Sequence, residues 1–144
     1  MSGPTTVTRD TVFLDRQCHL VTGVWSYTAA DPLAVALVLH PFGGSARRCW
    51  SWARGLLAEA FLAPCGEADV HLYRSALGRL VVQLSAPDGD CQLSCLADPV
   101  WEFLVSTFVM CSPCRGGRCS SCPECVLVRR ALDAELATIL RRVV

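Results

Sequence analysis

The feature that most constrains the fold is the alternation of apolar and polar residues in several short segments. Val21, Trp25 and Tyr27 alternate with Thr22 and Ser26. A period of two with aromatic and β-branched residues is typical of a half-buried β-strand. Further segments that we predict to be strands are residues 12–14, 33–39, 47–52, 70–72, 80–84 and 91–95.

The strand at residues 33–39 is apolar on both of its faces. Its alternate residues are Leu33, Val35, Leu37 and Leu39 on one side and Ala34, Ala36 and Val38 on the other. A strand with two apolar faces is usually covered on both. We therefore expect one face to pack on the core and the other to be covered as well, for instance by a neighbouring subunit.

The first of three predicted helices follows the fourth strand. Its apolar residues recur at helical spacing: Ala53, Leu56, Leu57, Ala60 and Phe61. Such a stripe indicates an amphipathic helix with one buried face. Pro64 and Gly66 should end it.

The second helix should begin at Asp98 as the N-cap, with Pro99 as its first helical residue. Both residue types favour these positions. Its predicted inner face consists of Trp101, Leu104, Val105 and Phe108.

A third helix is expected over residues 126–142, with an apolar stripe of Val128, Leu132, Leu136, Ile139 and Val143. The order of elements is then strands, a helix, strands and two helices. This order predicts one α+β domain over residues 1–144, with mainly antiparallel curved sheets and three helices.

Composition excludes several classes of protein. Apolar residues make up 52% and charged residues 18% of the 144 residues, so the chain is not disordered as a whole. Its net charge is zero, which supplies no long-range attraction for nucleic acid. The first six residues are polar, and no apolar run approaches the roughly 20 residues that span a bilayer. We therefore expect a cytoplasmic protein.

Five of the ten cysteines lie in one segment, residues 111–125, predicted as a loop between the last two helices. They are Cys111, Cys114, Cys119, Cys122 and Cys125. Structural disulfides are rare in the cytoplasm, and two Cys-x-x-Cys pairs can hold one tetrahedral zinc ion. The spacer between the pairs is four residues, however, where zinc sites usually have roughly 12 to 20. Structural zinc, an iron–sulfur cluster, thiol chemistry and a segment without a cofactor all remain open.

The other cysteines and the histidines suggest no catalytic site. Cys91 and Cys95 share a strand face with Leu93, which predicts small core residues. His19, His40 and His71 lie in different strands, and none pairs in sequence with a nearby Asp or Cys. Since a Gly-rich phosphate loop and a nucleophile elbow are also missing, we predict that the protein is not an enzyme.

A second possibility is a module that binds single-stranded nucleic acid. Trp50 and Trp52 could stack on bases, and Arg47, Arg48 and Arg54 could contact phosphates. Against this, tryptophan at a strand-to-helix junction is usually part of the core.

Several stretches, taken in order, resemble the SsgA-like family of sporulation and cell division proteins. They are an Asp-Pro strand ending in His (31–40), Trp-Ala-Arg-Gly-Leu-Leu (52–57), Pro-Cys-Gly-Glu-Ala-Asp-Val (64–70), Ser-Ala-Pro-Asp-Gly (85–89) and Leu-Asp-Ala-Glu-Leu (132–136). The resemblance extends over roughly residues 10 to 140 and lies in the joint order of motifs rather than in any single one.

This resemblance implies a Whirly-like fold, a homotrimer and a role in placing septa in spore-forming filamentous bacteria. Its members are expected to act without catalysis, by steering division machinery such as FtsZ or another SsgA-like protein at the division septum. Two departures from the family pattern are Gly55, where an acidic residue is usual, and the cysteine-rich segment at residues 111–125.

Overall fold

A computed structural model describes residues 5–41, 47–87, 89–112 and 122–143. The strands in these residues are β1 (Thr6–Asp15), β2 (Leu20–Thr28), β3 (Ala34–Pro41), β4 (Arg48–Ala53), β5 (Cys65–Glu67), β6 (Val70–Arg74), β7 (Arg79–Ala86) and β8 (Gly89–Leu96). The helices are α1 (Arg54–Ala60), α2 (Ala97–Met110) and α3 (Pro123–Val143).

The strands form one antiparallel sheet in the order β4-β3-β2-β1-β8-β7-β6-β5. Each half of the sheet is a four-stranded meander followed by a helix, α1 after β4 and α2 after β8. The predicted α+β class, with an antiparallel curved sheet and three helices, is confirmed.

The two halves of the sheet meet through a short ladder. Between β1 and β8 only Leu14–Ser94 and Asp15–Leu93 are paired, whereas β1 pairs with β2 from Thr6 to Leu14. A short ladder lets the two meanders turn relative to each other, so the sheet curls into a half-barrel. Helices α1 and α2 pack against the sheet, and residues of both belong to the core.

The core is built from the alternating residues that the sequence pattern predicts. Its largest fully buried aromatic side chain is Trp25, which packs against Phe13, Trp52 and Phe103 at ring-centroid distances of 6.1, 5.7 and 6.1 Å. Gly23 lies on the same face, where a Cβ atom would come within 2.7 Å of the Phe13 ring. Glycine is required at this position because the ring occupies the space of a side chain.

Several details of the helices and strands differ from the predictions, among them the start of α3, which is Pro123 and not residue 126. Helix α2 begins at Ala97 with Leu96 as its N-cap, so Asp98 lies in the first turn and does not cap it. The helix starts there because it continues from β8, and the Ala97 N–H bonds to the Gly78 carbonyl. A short strand, β5, follows α1 where we expected only a stop.

The inner face of α2 is also rotated by about one position. Val100, Phe103, Leu104 and Thr107 are buried there, while Val105 is 39% exposed and Trp101 and Phe108 lie at the border. In α3, Leu127 is buried and Val128 is half-buried. The side chains of Leu132, Leu136, Ile139 and Val143, predicted to continue that stripe, lie outside the described part of the structure.

The prediction for the strand at residues 33–39 is confirmed on its inner side. Val35, Leu37 and Leu39 are buried against the helices, but Leu33 precedes β3 and is 74% exposed. On the outer side, Ala34, Ala36 and Val38 are half-buried.

Among the described residues, no helix is both long enough and apolar enough to cross a bilayer.

Candidate functional site

The structure describes three of the five clustered cysteines. Cys111 follows α2, Cys122 immediately precedes α3, and Cys125 lies in the first turn of α3. Cys114 and Cys119 lie outside the described residues. Among the described residues, no three His, Cys, Asp or Glu side chains are grouped so that they could hold a metal ion. The predicted zinc site stays a prediction, because it depends on the two cysteines that are not described.

The first turn of α3 positions Cys122 and Cys125 close together. The backbone N–H of Cys125 donates to Cys122 Sγ at 3.4 Å. Pro123 is the first helical residue, a position that favours proline because its missing N–H would have no partner within the helix. Both thiols are half-buried.

Both ends of the cysteine-rich segment converge on a buried arginine, Arg54, in the first turn of α1. From the end of α2, the carbonyl oxygens of Thr107, Cys111 and Ser112 accept hydrogen bonds from its guanidinium at 3.1, 2.8 and 3.5 Å. From the start of α3, Glu124 Oε2 lies 2.8 Å from Nη2 and 3.0 Å from Nε. Arg54 thus ties the last turn of α2 and the first turn of α3 to α1.

The environment of Arg54 explains how the fold tolerates a buried cation. Its side chain is 2% exposed and that of Glu124 is 12% exposed. The guanidinium also lies over the rings of Phe108 and Tyr27, at 4.9 and 5.3 Å from their centroids. A buried charge is stable only when it is both paired and hydrogen-bonded, and Arg54 meets both conditions.

Tyr27 completes this cluster from β2. Its hydroxyl donates to the Pro32 carbonyl at 3.0 Å and lies 3.3 Å from Arg54 Nη1. Burial, together with a hydrogen bond to the Cys111 side chain, raises the pKa of Tyr27 to about 12. The phenol therefore stays protonated and neutral at physiological pH.

The position of Gly55 beside this cluster explains why a residue without a side chain stands there. A Cβ atom at position 55 would lie 3.3 Å from Glu124 Oε1, so the missing side chain leaves space for the Glu124 carboxylate. The resemblance places an acidic residue at position 55. In this chain, a carboxylate reaches the same junction from α3 instead.

The proposed stacking and phosphate-binding patch is not formed as predicted. Arg54 is buried in its ion pair, and Trp52 is 8% exposed with its ring edge-on to Trp25. Trp50 is half-buried beside the core, and only Arg47 and Arg48 are exposed. The two residues that the patch most needed therefore contribute to the core.

Two further site predictions need correction. His19 does pair with a nearby carboxylate, since its Nδ1 lies 3.1 Å from Asp15 Oδ2. The backbone N–H groups of His19 and Gln17 also donate to Asp15, which lowers the pKa of that carboxyl. Cys95 is buried as predicted, but Cys91, the third residue of β8, is exposed.

Comparison with known proteins links the chain to bacterial sporulation. A family model described as Streptomyces sporulation and cell division protein, SsgA, matches residues 21–114. A sporulation-specific cell division protein of Frankia casuarinae is 36% identical over 98 residues, which are 66% of this chain and 66% of that protein. The sporulation-specific cell division protein SsgB of Streptomyces coelicolor is 36% identical over 84 residues, which are 56% of this chain and 61% of SsgB.

The similarity of structure extends further along the chain than the similarity of sequence. The crystal structure of an SsgA-like sporulation-specific cell division protein from Thermobifida fusca superposes with a TM-score of 0.71 at 25% identity, over 96% of this chain and 98% of that one. The sequence matches span somewhat less than two thirds of the curated relatives. The family model ends within the cysteine-rich segment, so α3 is matched by structure rather than by that model.

Proposed function

Because the chain belongs to the SsgA family of sporulation and cell division proteins, we propose that it is a non-enzymatic adaptor in sporulation-specific cell division. It recruits or positions the septum machinery through its surface. The observation that carries this proposal is the family match over residues 21–114, joined to the similarity in fold over 96% of the chain. The expected partners are FtsZ or another SsgA-like protein, and the expected place is the cytoplasmic side of the division septum.

Deletion of the gene in its sporulating host tests this role. We expect sporulation septa to be lost or misplaced while vegetative growth continues, and a plasmid copy of the wild-type gene to restore them. Normal, evenly spaced septa in the deletion strain would contradict the proposal.

The proposed homotrimer has support in the outer face of the sheet. There Val24 of β2 pairs with Val38 of β3, and Ser26 pairs with Ala36. Val24, Ala36 and Val38 are half-buried. These small and apolar side chains on adjacent strands offer an apolar surface on which a second copy can pack.

Light scattering coupled to size-exclusion chromatography tests the trimer. We expect a trimer for the wild type and a monomer for Val38→Glu, because a buried carboxylate opposes association. Leu77→Glu is the matched control, since Leu77 is 87% exposed in a turn and its replacement should leave the mass unchanged. A monomeric wild type, or a trimeric Val38→Glu variant, would argue against this interface.

Zinc binding by the cysteine-rich segment is a second proposal. Its support is the spacing of the five cysteines in sequence, and the two ends of their segment meet at Arg54 through the Cys111 carbonyl and the Glu124 carboxylate. Metal analysis of protein purified without oxygen tests it: about one zinc per chain is expected. Bound iron would favour a cluster, and the absence of both metals would exclude either site.

A further inference from the structure

A groove between α2 and α3 is lined, in the described part of the chain, by none of the clustered cysteines and by no residue of β2 or β3. Phe61, which directly follows α1, Trp101 of α2 and Leu127 of α3 supply its apolar lining. The Phe61 and Trp101 rings are in contact, with centroids 5.6 Å apart. The cavity has a volume of about 430 Å³, within the range of protein pockets that bind ligands.

The groove is open because α3 presents small side chains to it. Ala131 and Ala134 lie one turn and two turns after Leu127, on the same face of the helix. A larger residue at either position would fill the space.

Charge in the groove is biased towards cations. Arg74 and Arg130 line it, and neither forms an ion pair with any side chain that the structure describes. Among the lining residues that the structure describes, Asp98 is the one with a carboxylate. Two guanidinium groups beside the aromatic rings of Phe61 and Trp101 suit a ligand that carries both carboxylates and apolar side chains.

An apolar stripe on α2, half-buried at Trp101 and exposed beyond it, extends the groove. Trp101, Val105 and Val109 are spaced by four residues, and the two valines are 39% and 83% exposed. Eight residues of helix correspond to about 12 Å. The stripe and the groove together match an elongated segment, such as one face of an amphipathic helix of about ten residues.

We propose that this groove and stripe bind an acidic amphipathic helix of a partner protein. The chain's own segments outside the described structure do not complement the charge of the groove, so they are not its expected occupant. Residues 113–121 contain two arginines and no carboxylate, and residues 1–4 and 42–46 contain no charged side chain. The groove also lies on the helices, away from the outer face of β2 and β3 where a second copy would pack. The inference concerns binding chemistry alone and does not depend on the role in cell division.

Fluorescence anisotropy of two labelled peptides with the full chain at low salt tests the proposal. One peptide has leucine at helical spacing and glutamate elsewhere, and the other has lysine in place of each glutamate. The wild type should bind the glutamate peptide in preference. The double variant Arg74→Glu/Arg130→Glu should bind it at least about tenfold more weakly and should gain affinity for the lysine peptide.

Two further variants complete the test. Ala131→Trp should fill the groove and weaken binding of the glutamate peptide, while Arg47→Glu, just before the edge strand β4, should not change it. Gained affinity for the lysine peptide shows in the same assay that the double variant is folded. The proposal is overturned if the wild type does not bind the glutamate peptide, or if the double variant or Ala131→Trp binds it equally well. A change in oligomeric state for Ala131→Trp would also overturn it, because a second copy would then cover the groove.

Discussion

Arg54 is a buried cation, and its charge is balanced by Glu124, a residue 70 positions away in the chain. Three backbone carbonyls and the Tyr27 hydroxyl surround the rest of the guanidinium. The net contribution of such a pair to stability is small, because both partners lose their hydration. Loss of one partner is costly, since the other charge is left buried.

Replacement of Glu124 by alanine tests this arrangement. We expect the free energy of unfolding, measured with urea, to fall by about 3–5 kcal/mol. Glu102→Ala is the matched control, because Glu102 is 60% exposed in its ion pair with Arg9 and should cost less than about 1 kcal/mol. Equal losses in the two variants would show that the Arg54 charge is not compensated by Glu124.

The buried thiol of Cys95 predicts how stability depends on alkaline pH. Burial raises its pKa from 9.0 to about 12. Below pH 9 the thiol is protonated in both states, and above it only the unfolded chain releases the proton. The unfolded state then binds fewer protons, so the free energy of unfolding decreases as pH rises from about 9 towards 12.

Urea unfolding from neutral pH to about pH 11 measures this effect. The decrease should be shallower in Cys95→Ala than in the wild type, although Tyr27, whose pKa is also raised to about 12, contributes in both. Parallel curves for the two proteins would contradict the role of Cys95.

At the scale of elements, α2 shows where a residue pattern misleads. Trp101, Val105 and Phe108 are large and apolar, and they led to a predicted inner face that is rotated by about one position. The true inner face includes Thr107, whose hydroxyl donates to the Leu104 carbonyl at 2.6 Å. A polar residue satisfied by its own helix can be buried, but it does not appear in an apolar pattern.

Two aspartate substitutions distinguish the predicted face from the observed one. Val100→Asp should reduce the free energy of unfolding by about 3 kcal/mol or more, because Val100 is fully buried. Val105→Asp should change it by less than about 1 kcal/mol. Thermal and urea unfolding of both variants provide the measurement. A larger loss of unfolding free energy for Val105→Asp than for Val100→Asp would show that the face predicted from the sequence is the buried one.

For the molecule as a whole, local patterns predict most strands and all three helices, because each buries one periodic face. The joining of the halves through Leu14–Ser94 and Asp15–Leu93 has no such local signal. The Arg54–Glu124 pair was not predictable either, since isolated charged residues are normally exposed. The five clustered cysteines were identified from spacing alone, and only three of them lie in the described residues.

The same limit applies to function. The ordered motifs identify the family, and the family model and the fold confirm that membership. The outer face of β3 was indicated by the two apolar faces of that strand, because a strand of this kind is usually covered on both sides. The groove between α2 and α3 arises only when elements distant in sequence pack together, so it appears in the structure and not in the sequence pattern.

Time-lapse localisation of a fluorescent fusion in the sporulating host tests the central claim most directly. The adaptor role predicts foci or ladders at nascent septa, before or together with FtsZ. A diffuse signal throughout sporulation, or one that follows the nucleoid, would contradict it.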